Sequence, residues 1–480
     1  MKRKLNNIRV AERAVIVGGA LFLLLMTLSI TANAQTFSVV YTFKGLNSNP
    51  ADPANPGAGV TTDGTYVYGT SVYGGASGYG SVWEVDPTVA QPDDKALYSF
   101  SGGSDGASPA SEIIFGPSAS LYGTTSAGEA NDCNGIGGCG TIFSLQPLYQ
   151  PCNPKPFCYW TYQNIWTFGG AGSGDGSDPY GAVAFDNFGN MYGTTRYGGS
   201  GGAQGICGDN VSNPQKYGCG TVFEVAPNGK GWGTPIIRWN FHSTLSPSCP
   251  SGATDGMEPA SGVVFDGPNG TGNLHGTTLI RDNSDGLGAY GMTFHLTPGS
   301  PWSEQIISPF DGGSLGAYSF GEMSLYSSTL YGITADAGGS GYGEGRLFEL
   351  TSNSNDCGGW QYQEPTMQNY TGTALVVQGS RSALVMDASG NLWGTQTTGG
   401  SNNYGRVFEL TNSGGTWSLA YHYDFAGGTD GAYPQGGLAI DSSGSIYGAT
   451  YSGGQSCTID SNTPPEVNSL GCGVVFKIVP

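Results

Sequence analysis

Two short elements alternate along this chain seven times each, and that alternation limits the available folds more than any other feature. The first reads Tyr-Gly-Thr or a close variant. Its copies are Tyr68-Gly69-Thr70, Tyr122-Gly123-Thr124, Tyr192-Gly193-Thr194, His275-Gly276-Thr277, Tyr331-Gly332-Ile333, Trp393-Gly394-Thr395 and Tyr447-Gly448-Ala449. The second reads Gly-x-(Val/Ile/Leu/Thr)-(Phe/Trp)-x-(Leu/Val/Ile) and starts at Gly80, Gly140, Gly220, Gly291, Gly345, Gly405 and Gly473. Repeats of this kind build one supersecondary unit per copy.

Two further elements complete the unit. An apolar stretch such as Val183-Ala184-Phe185-Asp186 or Leu438-Ala439-Ile440-Asp441 precedes the Tyr-Gly-Thr element. It runs into a turn of the type Asp186-Asn187-Phe188-Gly189-Asn190, where Asp starts the turn and Gly supplies the positive φ. A short aromatic strand ends in Phe43, Phe100, Phe168, Phe241 and Phe425; the fifth copy keeps only Phe310, and the sixth departs to Ala374-Leu375-Val376-Val377. Four short strands joined by turns predict a four-stranded antiparallel sheet. Seven such sheets, each with two faces to bury, predict an all-β, seven-bladed β-propeller, since radial closure leaves only short edges. A linear β-solenoid is the alternative. The Gly of Tyr-Gly-Thr is expected to let the next blade approach closely.

The order of elements sets the phase. The aromatic strand comes first in the chain, and Val474-Val475-Phe476-Lys477-Ile478 comes last. If each aromatic strand is the outer strand of the preceding blade, the first, Phe37 to Phe43, must complete the last blade and close the ring, leaving no open edge.

The motif Tyr-Gly-Thr-Thr, then Gly-Gly, then Gly-x-Val-Phe-x-Leu resembles the GloVer tandem repeat of exported bacterial proteins, of the choice-of-anchor type. The best copies are Tyr192 to Val225 and Trp393 to Leu410. The resemblance implies an exported protein, often surface-anchored among family members. It implies no catalytic residue.

The N-terminus agrees with export. Lys2, Arg3, Lys4, Arg9 and Arg13 precede an apolar run from Ala14 to Ile30, followed by Ala32-Asn33-Ala34. This layout predicts a signal peptide over residues 1–34, leaving 35–480 as one propeller, secreted, periplasmic or at the cell surface. An uncleaved anchor is the alternative. The chain carries a net charge of −19, which argues against nucleic acid and anionic lipid as partners. Glycans and proteins remain as partners, with no membrane insertion after cleavage and a monomer expected.

Ten cysteines in an exported chain predict disulfides. Local pairs are expected at Cys133–Cys139, Cys152–Cys158, Cys207–Cys219 and Cys457–Cys472. Cys139, Cys219 and Cys472 occupy one repeat position, in Gly-Cys-Gly. Cys249 and Cys357 fall on opposite faces of the ring in this phase and are not expected to pair.

Candidate chemistry is sparse. Asp-Gly-x-x-Pro recurs from Asp105, Asp175, Asp255 and Asp430, with Asp52 and Pro56 keeping the spacing. At a channel mouth such carboxylates would collect a cation such as calcium or bind sugar hydroxyls. Read as architecture, Asp-Gly makes a turn and Pro opens a strand. Residues that break the repeat are separate candidates: His275 and Trp393 replace Tyr, and Arg196 and Arg281 enter the loops that follow. A His near carboxylates suits a general base; a single His is otherwise a packed or surface residue. No cofactor or metal motif is present in the sequence. Two function classes follow: a non-catalytic binding or scaffold propeller for a glycan or protein, and a hydrolase or lyase acting on a glycan-like polymer at the channel mouth.

Overall fold

A computed structural model describes residues 35–480 except 47–50, 90–95, 129–137, 149–159, 171–172, 201–217, 230, 242–254, 282–289, 314, 337–344, 354–358, 364–365, 368–381 and 458–469. Phe37–Val479 forms one compact unit. It is a seven-bladed β-propeller. In chain order within each blade, the strands of blade 1 are Thr61–Thr62, Val67–Ser71, Ser81–Val85 and Ala96–Ser99. Those of blade 2 are Ile114–Phe115, Leu121–Thr125, Thr141–Pro147 and Trp160–Thr167; of blade 3, Ala184–Phe185, Met191–Thr195, Thr221–Val225 and Ile236–Asn240. Blade 4 comprises Val264–Gly267, Thr271–Thr278, Met292–Thr297 and Ser303–Pro309, and blade 5 Ser324–Tyr326, Thr329–Ile333, Leu347–Ser352 and Trp360–Gln363. Blade 6 has Val385–Met386, Leu392–Gln396, Arg406–Ser413 and Thr416–Asp424, with Thr366–Met367 added in parallel at its edge.

Blade 7 closes the ring as expected. Its first three strands are Ala439–Ile440, Ile446–Thr450 and Val474–Val479, and the fourth is the N-terminal Thr36–Thr42. Phe37 stacks on Tyr423 of blade 6 at 3.6 Å, so the closing strand is packed against the neighbouring blade as well. The outer strand of blade 5 corrects one expectation. It is Trp360–Gln363, where Tyr362 stacks on Phe348 at 5.4 Å. The stretch 374–377, read as that strand, lies outside the described residues.

A second expectation is corrected at the Gly of Tyr-Gly-Thr. In all seven blades this Gly pairs across strands with the Phe or Trp of the second element, from Gly69 opposite Trp83 to Gly448 opposite Phe476. A Cβ built on Gly193 would meet the Phe223 ring at 2.5 Å, and one on Gly448 would meet Phe476 at 2.4 Å. The missing side chain makes room for an aromatic ring of the same blade, and those rings form the blade cores.

The Thr beside that Gly ties blades together. Its hydroxyl donates to a carbonyl at the start of the next blade: Thr70 to Ser111, Thr124 to Pro179, Thr194 to Ser261, Thr277 to Ser319 and Thr395 to Gly436. The residue before the inner strand's Pro, or its equivalent, adds a backbone stitch. Asn55, Ser108, Asp178, Glu258, Tyr318 and Tyr433 all have φ near +55° and donate their N–H to the preceding blade. An L-residue is uncommon in this region, and here the two neighbouring blades hold it from both sides.

Candidate functional site

The repeat-breaking residues keep the role of the residue they replace. In three of the five blades that keep it, the Tyr of Tyr-Gly-Thr donates its hydroxyl to the Asp that starts the preceding turn: Tyr68 to Asp63, Tyr192 to Asp186 and Tyr447 to Asp441. His275 makes the equivalent bond from Nε2 to Asp266 at 3.0 Å, and Trp393 donates Nε1 to Asp387 at 3.1 Å. The position requires a flat ring with a polar hydrogen, which Tyr, His and Trp all supply. His275 is fully buried between blades, against Trp360 at 4.6 Å and His295 at 5.4 Å. Burial lowers its pKa, although Asp266 pulls the other way. His295 is driven to about 4 by burial and by the charge of His275.

The Asp-Gly-x-x-Pro carboxylates do not converge. Asp105 accepts from Tyr98 and Ser101, Asp175 from Trp166 and Gly169, and Asp430 from Tyr423 and Ala426. Asp52 accepts from Tyr41 and Lys44 in the same way. In these four loops the Asp is latched to an aromatic side chain of the preceding outer strand, and none of the four carboxylates lines the channel. Asp255 is buried near Glu304, whose carboxyl is pushed up by burial and by that charge.

The two arginines are also separated from His275. Arg196 pairs with Glu258 at 2.9 Å. Asp178 lies beside that pair, its pKa pushed up to about 6 by burial, against the pull of Arg196. Arg281 is fully buried past the far end of the strand carrying His275. Cys457 and Cys472 are bonded, with Cα atoms 5.8 Å apart. Cys139 and Cys219 are also in disulfides. Their expected partners, Cys133 and Cys207, lie outside the described residues, as do Cys152, Cys158, Cys249 and Cys357.

The sequence reading missed two sites. The first is the channel. One repeat position of the inner segments holds Gly59, Glu112, Ala182, Gly262, Glu322, Ala383 and Gly437; all of these but Gly262 line the channel, and Gly262 lies against Glu322. Five small residues leave room for two carboxylates. Glu112 lies against Gly59, and Glu322 against Gly262, accepting from the Ala182 N–H at 2.6 Å. Burial pushes Glu112 up to about 8, with Glu322 adding repulsion, and burial raises Glu322 too. The surface both keep borders a void of about 60 Å³, room for a few waters and too small for a sugar. A signal was available: Glu112 and Glu322 share one repeat position that is otherwise Gly or Ala.

The second is on the face formed by the Asp turns. A Trp on or just before the outer strand packs against the Tyr-position ring of the preceding blade: Trp160 on Tyr68, Trp232 on Tyr122, Trp302 on Tyr192, Trp360 on His275 and Trp417 on Tyr331. Between blades 3 and 4 this seam opens into a cleft of about 420 Å³ lined by Phe188, Tyr192, Phe265, Trp302, Arg238 and Glu224 among others. That size lies within the range of small-molecule sites. Arg238 is held by Glu224 at 2.7 and 2.9 Å and lies 5.6 Å from the Trp302 ring. Phe188 at the rim is 81% exposed. The Trp recurrence was legible, with Trp160, Trp302 and Trp417 each eight residues before the Phe that ends the outer strand.

No curated protein is similar enough to the chain to count as a relative. Among solved structures, a protein of unknown function from Dyadobacter fermentans is 9% identical, with a TM-score of 0.44 over 93% of this chain and 98% of that one. A Hadza microbial sialidase is 13% identical, with a TM-score of 0.41 over 76% of this chain and 64% of that one. At these scores neither likeness bears on activity. Among the described residues no helix is long and apolar enough to cross a membrane. Residues 26–209 match the sequence model of the Gloeobacter/Verrucomicrobia repeat, and this match supports the tandem-repeat family that the motifs resemble.

Proposed function

We propose that this is an exported, non-catalytic β-propeller that acts as a binding or scaffold module for a glycan or protein partner. The observation that carries the reading is the open cleft between blades 3 and 4, with aromatic and polar walls and an exposed Phe188 at its rim. A surface aromatic of that kind offers contact area at low conformational cost, as binding surfaces do. The competing reading, a hydrolase or lyase working at the channel mouth, needs acids or a His converging on open space. The candidates for it, Asp105, Asp175, Asp430 and His275, are held in separate turns and seams.

The test is an array of glycans and extracellular proteins probed with purified residues 35–480. Saturable binding to at least one class is expected. Turnover of a polysaccharide, seen as new reducing ends, would replace this reading with the enzymatic one.

A further inference from the structure

We propose that the cleft between blades 3 and 4 binds an uncharged pyranose of a glycan, which stacks on Phe188. This rests on the binding reading above and names its site and ligand class.

The first observation is that the turn does not need Phe188. The turns from Asp186, Asp387 and Asp441 share one geometry. The third residue donates its N–H to the Asp Oδ1 at 2.8–2.9 Å, and the Gly that follows has φ of 82–86°. In blades 6 and 7 the third residue is Ser389 and Ser443; in blade 3 alone of these it is Phe188. It is the most exposed large apolar side chain among the described residues, so packing does not account for it either.

The second observation is that blade 4 supplies a wall. Its hairpin, Val264–Gly267 and Thr271–Thr278, leans on the blade 3 turn: a Cβ on Gly270 would meet the Phe185 carbonyl oxygen at 2.2 Å and Asp186 Cα at 2.5 Å. Trp302, partly exposed, forms another side. The cleft is therefore bounded by backbone and rings from two blades, with Phe188 at the open edge.

Chemistry selects the ligand. The face of an aromatic ring is electronegative and takes the polarised C–H face of a pyranose. The hydroxyls at the sugar's edge need planar donors and acceptors. Asn187 presents an exposed amide beside Phe188. Arg238 uses Nε and Nη2 on Glu224, which leaves the Nη1 protons for a hydroxyl. Charge excludes acidic sugars. Asp186 and Glu224 outnumber Arg238 in the cleft, within a chain of net −19, so a uronate or sulfate would meet repulsion.

The experiment uses residues 35–480 as wild type, Phe188→Ser and Phe188→Trp, on a panel of neutral, uronate-containing and sulfated oligosaccharides and on the protein array. Wild type is expected to bind neutral pyranosides. F188S should lose at least about tenfold in affinity with an unchanged melting temperature, because Ser already occupies this turn position in two blades. F188W should retain binding. Neutral-glycan binding that F188S leaves intact overturns the site. Binding confined to acidic glycans or to proteins overturns the ligand class while the binding reading stands. Silence on both panels overturns the binding reading itself.

Discussion

The seven seams of the ring are not built alike. Five are stitched by the Thr of Tyr-Gly-Thr, which donates into the next blade. Blades 5 and 7 carry Ile333 and Ala449 at that position and cannot make the bond. Other groups do so instead. Between blades 5 and 6, Ser324 donates to the Leu384 carbonyl at 2.6 Å, and the Met386 N–H donates to Tyr326 Oη at 2.8 Å. Between blades 7 and 1, Asn55 donates to the Tyr451 carbonyl at 2.8 Å and the Val60 N–H to Gly437 at 3.2 Å. The comparison teaches that the fold conserves hydrogen bonds at each seam while the residue that makes them changes. A buried carbonyl left without a donor is costly whatever side chain was lost.

The hardest way to break this arrangement is at the closing blade. Removing residues 35–43 takes away a whole strand and the ring of Phe37 between blades 6 and 7. The melting temperature is expected to fall by more than about 10 °C, measured by calorimetry. A fall of only a few degrees would mean that the ring does not depend on this strand for closure.

Gly-to-Ala changes in the second strand should be costly and indifferent to seam type, because that Gly faces a ring of its own blade. Gly193→Ala, in a Thr-stitched blade, and Gly448→Ala, in one without the Thr, should each cost about 3 kcal/mol by overpacking. Urea titration of the two variants checks this. Unequal costs would show that the seam, not the Phe ring, limits the space.

Glu112 of blade 2 tests the channel side of the closing seam, since its carboxylate lies against Gly59 of blade 1 and near Gly437 of blade 7. Burial raises its folded pKa from 4.5 to about 8. The folded state therefore binds the extra proton between those values, and stability from this group falls as pH rises through that window. Glu112→Gln should flatten the slope, gaining on the order of 2 kcal/mol at pH 8 relative to wild type and little at pH 5. Asp266, Asp387 and Asp441 act in the opposite sense. Their pKa values are lowered by hydrogen bonds that outweigh burial, so their contribution is lost only as pH falls below the usual carboxylate range. A wild-type profile that is flat from pH 5 to 8 would remove the buried charge from the account.

How much of this was legible depended on whether a feature repeats. The strand order, the phase and the closing strand follow from motifs present seven times, and the structure agrees. Outer strands were harder, because their signal is one aromatic and a Phe; blade 5 was misplaced where Trp360 and Tyr362 carry the pattern without the Phe. The Gly of Tyr-Gly-Thr was assigned to the wrong neighbour, because sequence shows that space is needed without showing which residue fills it. His275 and Trp393 looked functional because they break a pattern of Tyr, yet the pattern is a donor on a ring and both satisfy it. Glu112, Glu322 and Phe188 break patterns of small or polar residues with no such equivalence. Comparison of chemical roles at one repeat position, rather than residue names, separates the two cases.

The smallest expected effects decide whether the seams are equivalent. Thr194→Val keeps the shape of the side chain and removes the donor to the Ser261 carbonyl, at a cost of about 1 kcal/mol. Thr194→Ser keeps the donor and should recover most of that loss. Ser324→Ala removes the substitute donor at the seam without the Thr and should cost a similar amount, about 1 kcal/mol. The two sites lie at different seams, so the double variant should be additive within about 0.5 kcal/mol. Chemical denaturation of the four variants resolves differences of this size when the slopes agree. A silent Ser324→Ala beside a costly Thr194→Val would show that the seam between blades 5 and 6 is held by its packing, with Met386 and Tyr326, and that the hydrogen bond there is not the counterpart of the Thr stitch.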